Sequence, residues 1–202
     1  MSGTETPEVC LLELIPTAPD ATSVECSSAS PAWLAAYTRP RHEQKVAEYF
    51  LQHRWQVFLP THSSWRYWSD RRKLVRLPLF PSYVFVKLND SERRRAVQAP
   101  GVVGWVRGNG GPARVDEDEL RAIAKLLQSG LAFDPLPAVE IGDEVEIAVG
   151  ALRGCRGRLL RKEQGAIALL VSAINGGVRV NLPDPSWIRS LPRPARAAAQ
   201  GA

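Results

Sequence analysis

Val145-Glu146-Ile147-Ala148-Val149-Gly150-Ala151-Leu152-Arg153-Gly154-Cys155-Arg156-Gly157-Arg158-Leu159 alternates apolar and polar residues, turns on glycines, and alternates again. Period-two alternation marks a half-buried strand, because successive side chains point to opposite faces. Gly150, Gly154 and Gly157 punctuate the run where a tight turn or a close backbone approach excludes a Cβ, and they read as structural. The stretch is a strand-turn-strand unit. Around it, strands are expected over 144–149, 157–162, 167–172, 178–182 and 187–188. Short strands at such spacing suit a small barrel occupying residues 138–191.

Upstream the pattern changes. Leu131 to Pro137, with two prolines, reads as a short semi-rigid linker. Before it, Asp116 is placed to cap a helix that buries Leu120, Ile123, Ala124 and Leu127, and Gly130 stops it. Acids at its start and Lys125 toward its end match the helix dipole. Trp33 to Thr38 reads as a buried strand, and Arg41 to His53 as a helix with Val46, Ala47, Phe50 and Leu51 on one face. Strands follow at Gln56–Leu59, Leu77–Phe80 and Tyr83–Leu88, the last two split by Pro81. Thr61 to Arg76 is a loop or protruding hairpin. Ser91 reads as the N-cap of a short helix before Pro100-Gly101, and Val102–Val106 as another strand. The sum is an α/β sandwich with a mainly antiparallel sheet over residues 32–130. Residues 1–31 and 192–202 are expected to be disordered, since they hold too little apolar surface to offset ordering entropy.

The bulk numbers limit the function classes. The 202 residues are 45% hydrophobic and 23% charged, which suits one domain or two small ones. No apolar run approaches the ~20 residues of a membrane helix, and no basic secretory start precedes the acidic leader, so a cytoplasmic protein is expected. Cys10, Cys26 and Cys155 are too dispersed for a disulfide framework and read as reduced thiols; His42, His53 and His62 lack zinc-site spacing. Neither cofactor nor metal is expected, and no nucleophile elbow or phosphate-cradling loop supports catalysis. The net charge of +5 is uneven: residues 33–95 carry 13 Lys or Arg against 5 Asp or Glu. A basic domain of this kind fits a nucleic-acid or phosphate-rich partner, or a solubilising surface.

The 145–159 unit resembles a KOW motif. Phe80-Pro81-Ser82-Tyr83-Val84-Phe85-Val86, with Trp33, Leu59-Pro60-Thr61, Pro100-Gly101-Val102, Trp105-Val106 and Gly142-Asp143-Glu144-Val145, resembles the NusG family over Trp33 to Leu191. The resemblance implies an α+β protein: a NusG-type amino-terminal (NGN) sandwich, a linker at 131–137, and a small SH3-like barrel. It implies a monomeric transcription elongation and antitermination factor without enzymatic activity. Pro78-Leu79-Phe80-Pro81-Ser82-Tyr83 departs from the Phe-Phe-Pro-Gly-Tyr of the housekeeping member and is similar to specialised paralogues such as RfaH and UpxY. A ribosome-associated KOW protein that binds RNA is the alternative reading.

The resemblance also assigns residues. Phe80, Pro81 and Tyr83 would line an apolar depression that grips the clamp helices of the largest RNA polymerase subunit; the plainer reading makes all three core. Val84 and Val86 belong to the core or its edge. Arg39 and Lys45 would touch the non-template DNA strand. Ile174 and Asn175, in the Ala173–Gly176 loop, would face a small-subunit ribosomal protein or Rho, although an aromatic usual there is absent. From the residues themselves, Trp65, Arg66, Tyr67, Trp68, Arg71, Arg72 and Lys73 interleave rings with cations. That combination suits single-stranded nucleic acid, cations meeting phosphates and rings stacking on bases; it equally admits tryptophans packed back on the sheet with solvated cations. Arg93, Arg94 and Arg95 read as a solvated helix face.

Overall fold

The computed structural model describes residues 30–67, 72–108, 110–136, 144–159, 166–182 and 184–191. The leader through residue 29, Trp68, Arg71 and the tail from 192 lie outside them.

The front half is built on a four-stranded sheet of order β2-β5-β1-β6, where β1 is Ala32–Thr38, β2 Gln56–Phe58, β5 Tyr83–Leu88 and β6 Val102–Trp105. All of its pairings are antiparallel. The strand period sorts its side chains into two apolar clusters. Ala36, Val84, Val86 and Leu88 meet Val46, Ala47 and Phe50 of helix α1 (Glu43–Gln52). Trp33, Ala35 and Phe85 point the other way, toward helix α3 (Glu117–Ser129).

Helix α2 (Asp90–Ala96) is capped by Asn89, not by Ser91 as expected. The Asn89 side chain accepts from the Glu92 N–H at 2.9 Å, and Glu92 Oε2 accepts from the Asn89 N–H at 2.8 Å. This reciprocal pair satisfies two donors, against one for a serine two residues inside the helix. Strands β3 (Thr61–Tyr67) and β4 (Arg72–Pro78) form the hairpin, so the strand expected at 77–80 ends at Pro78. β7 (Arg107–Gly108) and β8 (Gly111–Pro112) make a further two-residue antiparallel pairing. Asp116 caps α3 through the Asp118 N–H at 2.9 Å, and Gly130 ends it in the left-handed region (φ 69°).

The rear half is one antiparallel sheet of order β14-β10-β11-β12-β13-β9. Its strands are β9 Phe133–Leu136, β10 Glu144–Ile147, β11 Arg156–Leu159, β12 Ala166–Val171, β13 Gly176–Asn181 and β14 Ile188–Ser190. β9 corrects the expectation at 131–137: part of the linker is an edge strand, paired with β13. Gly157 has a steric reason. A Cβ there would stand 2.8 Å from the Ala168 carbonyl oxygen across the β11–β12 pairing.

The two halves share a core. Val145, Ile147, Ile167, Leu169 and Val178 join Phe80, Phe85, Ile123 and Leu126 in one buried cluster. α3 lies between the sheets, which explains why Ala122 and Leu126 are buried along with the expected Leu120, Ile123, Ala124 and Leu127.

Candidate functional site

The segment Leu79–Tyr83 turns sharply between β4 and β5. The Tyr83 N–H donates to the Phe80 carbonyl at 3.2 Å, closing the turn. Ser82 is left-handed (φ 67°), a conformation that glycine takes freely and other residues at a cost. Two bonds hold it there: the Thr38 N–H donates to the Ser82 carbonyl at 2.9 Å, and the Ser82 N–H donates to Glu43 Oε1 at 2.8 Å. Glu43 is buried at the start of α1, so a carboxylate of the first helix fixes the turn that presents Phe80, Pro81 and Tyr83.

The three expected contact residues differ in exposure. Pro81 is exposed and Tyr83 half-buried. Tyr83 pairs across strands with Tyr37, their ring centroids 5.6 Å apart, and Tyr37 is 43% exposed. Tyr37 therefore belongs to the same aromatic patch, although its sequence context marks it only as part of a strand. The signal was available: it shares the strand face of Trp33 and Ala35, at the end nearest the turn. Phe80 is only 5% exposed and makes an edge-to-face contact with Phe85 at 5.9 Å. An open position for its ring is not what the structure has.

Phe80 is covered from the rear half. A Cβ on Gly176 would stand 3.3 Å from Ile174 and 3.7 Å from the Phe80 ring, so both side chains converge on that glycine. Ile174 closes a 3-10 turn (Ser172–Ile174) and packs half-buried on the shared core, whereas Asn175 is left-handed (φ 48°) and exposed. Two patches expected to meet different partners thus lie against one another. Hydrogen bonds fasten the contact: Glu119 Oε2 accepts from the Ser172 N–H at 3.0 Å and Oε1 from its hydroxyl at 2.5 Å. Burial raises the Glu119 pKa, and the Ser172 bonds oppose that rise. Beside it, Asp116, Asp118 and Lys125 of the α3 side face Cys155, Arg156 and Arg158 across a cleft of about 400 Å³.

The hairpin has two unlike faces. Register puts Trp65 opposite Leu74 and Ser63 opposite Arg76 on one side, and His62 opposite Leu77 and Ser64 opposite Val75 on the other. Inward, the His62 ring meets Phe133 of β9 edge-on at 6.3 Å, and burial lowers the His62 pKa. Outward, Trp65 and Leu74 are each 50% exposed, and the Arg72 guanidinium lies 5.4 Å from the Trp65 ring centroid. Trp65 therefore does not fold back on the sheet. Lys73, paired with Arg66, is exposed on the opposite side.

Arg39 and Lys45 come together. With His42 and Tyr49 they line a shallow groove of about 520 Å³ whose far wall is residues 97–102. The Arg39 N–H donates to the Gly101 carbonyl at 2.8 Å, and Gly101 (φ 103°) lets that turn close on His42. Arg93 pairs with Asp90 at 3.3 Å on the α2 surface.

This chain is similar to several known proteins. Residues 31–124 match the family model described as "Transcription termination factor nusG". The chain is 28% identical over 155 residues to the transcription termination/antitermination protein NusG of Streptococcus pyogenes, covering 69% of this chain and 86% of the relative. With the NusG of Thermus thermophilus the identity is 25% over 172 residues, covering 74% and 94%. A solved structure described as "Domain interaction in Thermotoga maritima NusG" matches with a TM-score of 0.46 at 22% identity, covering 81% of this chain and 98% of that one.

Proposed function

We propose that this chain, whose residues 31–124 match the NusG family model, acts as a NusG-like factor that binds RNA polymerase during elongation through the Tyr37, Phe80, Pro81 and Tyr83 patch and disfavours pausing or termination. The observation behind the reading is the row of rings at the strand break. Rigid aromatics bury large area at small entropic cost and suit the apolar side of a helix pair such as the polymerase clamp helices. A factor that binds one clamp state more tightly shifts its population without any covalent step.

In the docked arrangement the rear sheet lies over Phe80, so polymerase binding requires the halves to part. Parting frees Ile174 and Asn175 as well, and the rear sheet, read as a small KOW-type barrel, then recruits a second partner such as a ribosomal small-subunit protein or Rho. The covalent connection between the halves keeps that partner close to the polymerase. The outer hairpin face, with Trp65 and Arg72, and the Arg39–Lys45 groove are the proposed contacts to exposed single-stranded DNA, the non-template strand included. The Leu79-Phe80-Pro81-Ser82 variation, which keeps a strained serine where glycine would be relaxed, favours a specialised paralogue over the general factor.

Single-round transcription by purified polymerase over a strong pause tests the reading. Added protein should shorten the pause or raise read-through. Unchanged pausing and termination at saturating protein would overturn it.

A further inference from the structure

β9 is an unusual member of the rear sheet. It precedes the other five strands in the chain, is separated from β10 by residues 137–143, and sits at the far end of the order beside β13. It covers β13 in the register Gly177↔Leu136, Val178↔Pro135, Arg179↔Asp134 and Val180↔Phe133. β13 runs from Gly176 to Asn181, so β9 is the shorter of the two. Without β9 the outer edge of β13 would present a row of unpaired backbone groups, which is a template for another strand. Pro135 supplies no N–H, and such a residue is confined to a sheet's edge.

β9 is also tied to the front half. Its Phe133 meets His62 of the hairpin, and only Leu131 and Ala132 separate it from Gly130 at the end of α3. If the rear sheet leaves α3 with β9 in place, those two or three residues limit its travel to roughly 10 Å at ~3.4 Å each. Reaching farther requires β9 to peel from β13. Of the ties between the two strands, the 3.4 Å ion pair from Asp134 to Arg179 leaves the Asp134 side chain 65% exposed, and exposed pairs of this kind contribute little.

We infer that the outer edge of β13 is a strand-addition site, with β9 as its resident occupant. The partner it fits is an extended peptide segment carrying an apolar residue opposite Val180 and a carboxylate opposite Arg179, as Phe133 and Asp134 do. Main-chain pairing supplies the affinity and these two positions the selectivity. The inference deepens the proposed recruitment by the rear half and rests on that reading only for its biological use. Polymerase binding and edge binding are measured separately, so either can fail alone.

The test uses the isotope-labelled full chain in which Phe133→Gly, Asp134→Ser, Pro135→Gly and Leu136→Ser remove the resident strand; a chain carrying only Asp134→Arg is the milder second variant. The probe is a synthetic peptide with the sequence of residues 130–137. The peptide should shift the backbone amide signals of residues 177–180 saturably, at least tenfold more tightly than in the unaltered chain. A peptide carrying Asp134→Arg should bind severalfold more weakly, and Arg179→Glu in the chain should restore it. Unmoved amides at 177–180 in both variants, equal binding to the unaltered chain, or shifts confined to 188–190 of β14 would overturn the inference.

Discussion

Replacing Glu119 with alanine should loosen the rear half from α3 while leaving both halves folded. The carboxylate accepts two hydrogen bonds from Ser172, at 3.0 Å and 2.5 Å. Bonds to a charged acceptor contribute about 1.5–3 kcal/mol each when shielded from water. Glu119 is half-buried and Ser172 exposed, so water competes, and roughly 1–2 kcal/mol for the pair is the appropriate scale. That corresponds to a rise of about 5- to 30-fold in the open population. Cys155 reports it. The thiol is buried beside the cleft, where burial raises its pKa and the Lys125 charge partly offsets the rise. In a chain with Cys10→Ser and Cys26→Ser, its modification by a thiol reagent under fast reclosing follows the open fraction. Glu119→Ala should speed labelling 5- to 30-fold, and Ser172→Ala, which removes only the hydroxyl bond, should speed it less. Equal rates in all three chains, with an unaltered thermal midpoint, would refute the latch.

Two other outcomes follow from the same geometry. Ser82→Gly should stabilise the front half by about 1 kcal/mol in denaturant unfolding, because it relieves a left-handed serine, while Glu43→Ala should cost about 1–3 kcal/mol by leaving the Ser82 N–H without its carboxylate. Docking should tighten as pH falls. The Glu119 pKa is raised in the docked state, so docking takes up a proton, and this contribution is complete below the free value of 4.5 and lost as pH rises through the raised one. Cys155 labelling, corrected for its own thiolate fraction, should slow between neutral pH and 4.5; no change in Glu119-containing chains relative to Glu119→Ala would contradict it.

The local elements were legible because local rules decide them. The Leu120, Ile123, Ala124 and Leu127 stripe, the Asp116 cap and the Gly130 stop all depend on neighbours within a few residues. Ala122 and Leu126 form a second stripe four residues apart, and it was overlooked because it has meaning only once a second sheet covers it. β9 carries no alternation that marks a strand; its strand character comes from the open edge of β13. The cap of α2 is decided by the reciprocal Asn89–Glu92 pair, which a serine at 91 cannot match. Around the candidate site, the interruption of the strands at Pro81 was legible, since proline and the flanking rings mark it locally. The sequence could not reveal that Phe80 and Ile174 converge on Gly176, because that juxtaposition joins residues nearly a hundred positions apart across two halves.

Affinity of the full chain for RNA polymerase, measured with Tyr37→Ala and Tyr83→Ala, tests the central claim most directly. Both rings are partly exposed, so their removal disturbs the core less than a Phe80 substitution would. Each variant should bind at least tenfold more weakly with its thermal midpoint nearly unchanged, since central aromatic anchors typically contribute 2 kcal/mol or more, on the order of a thirtyfold effect. Unchanged affinity in both would contradict the account.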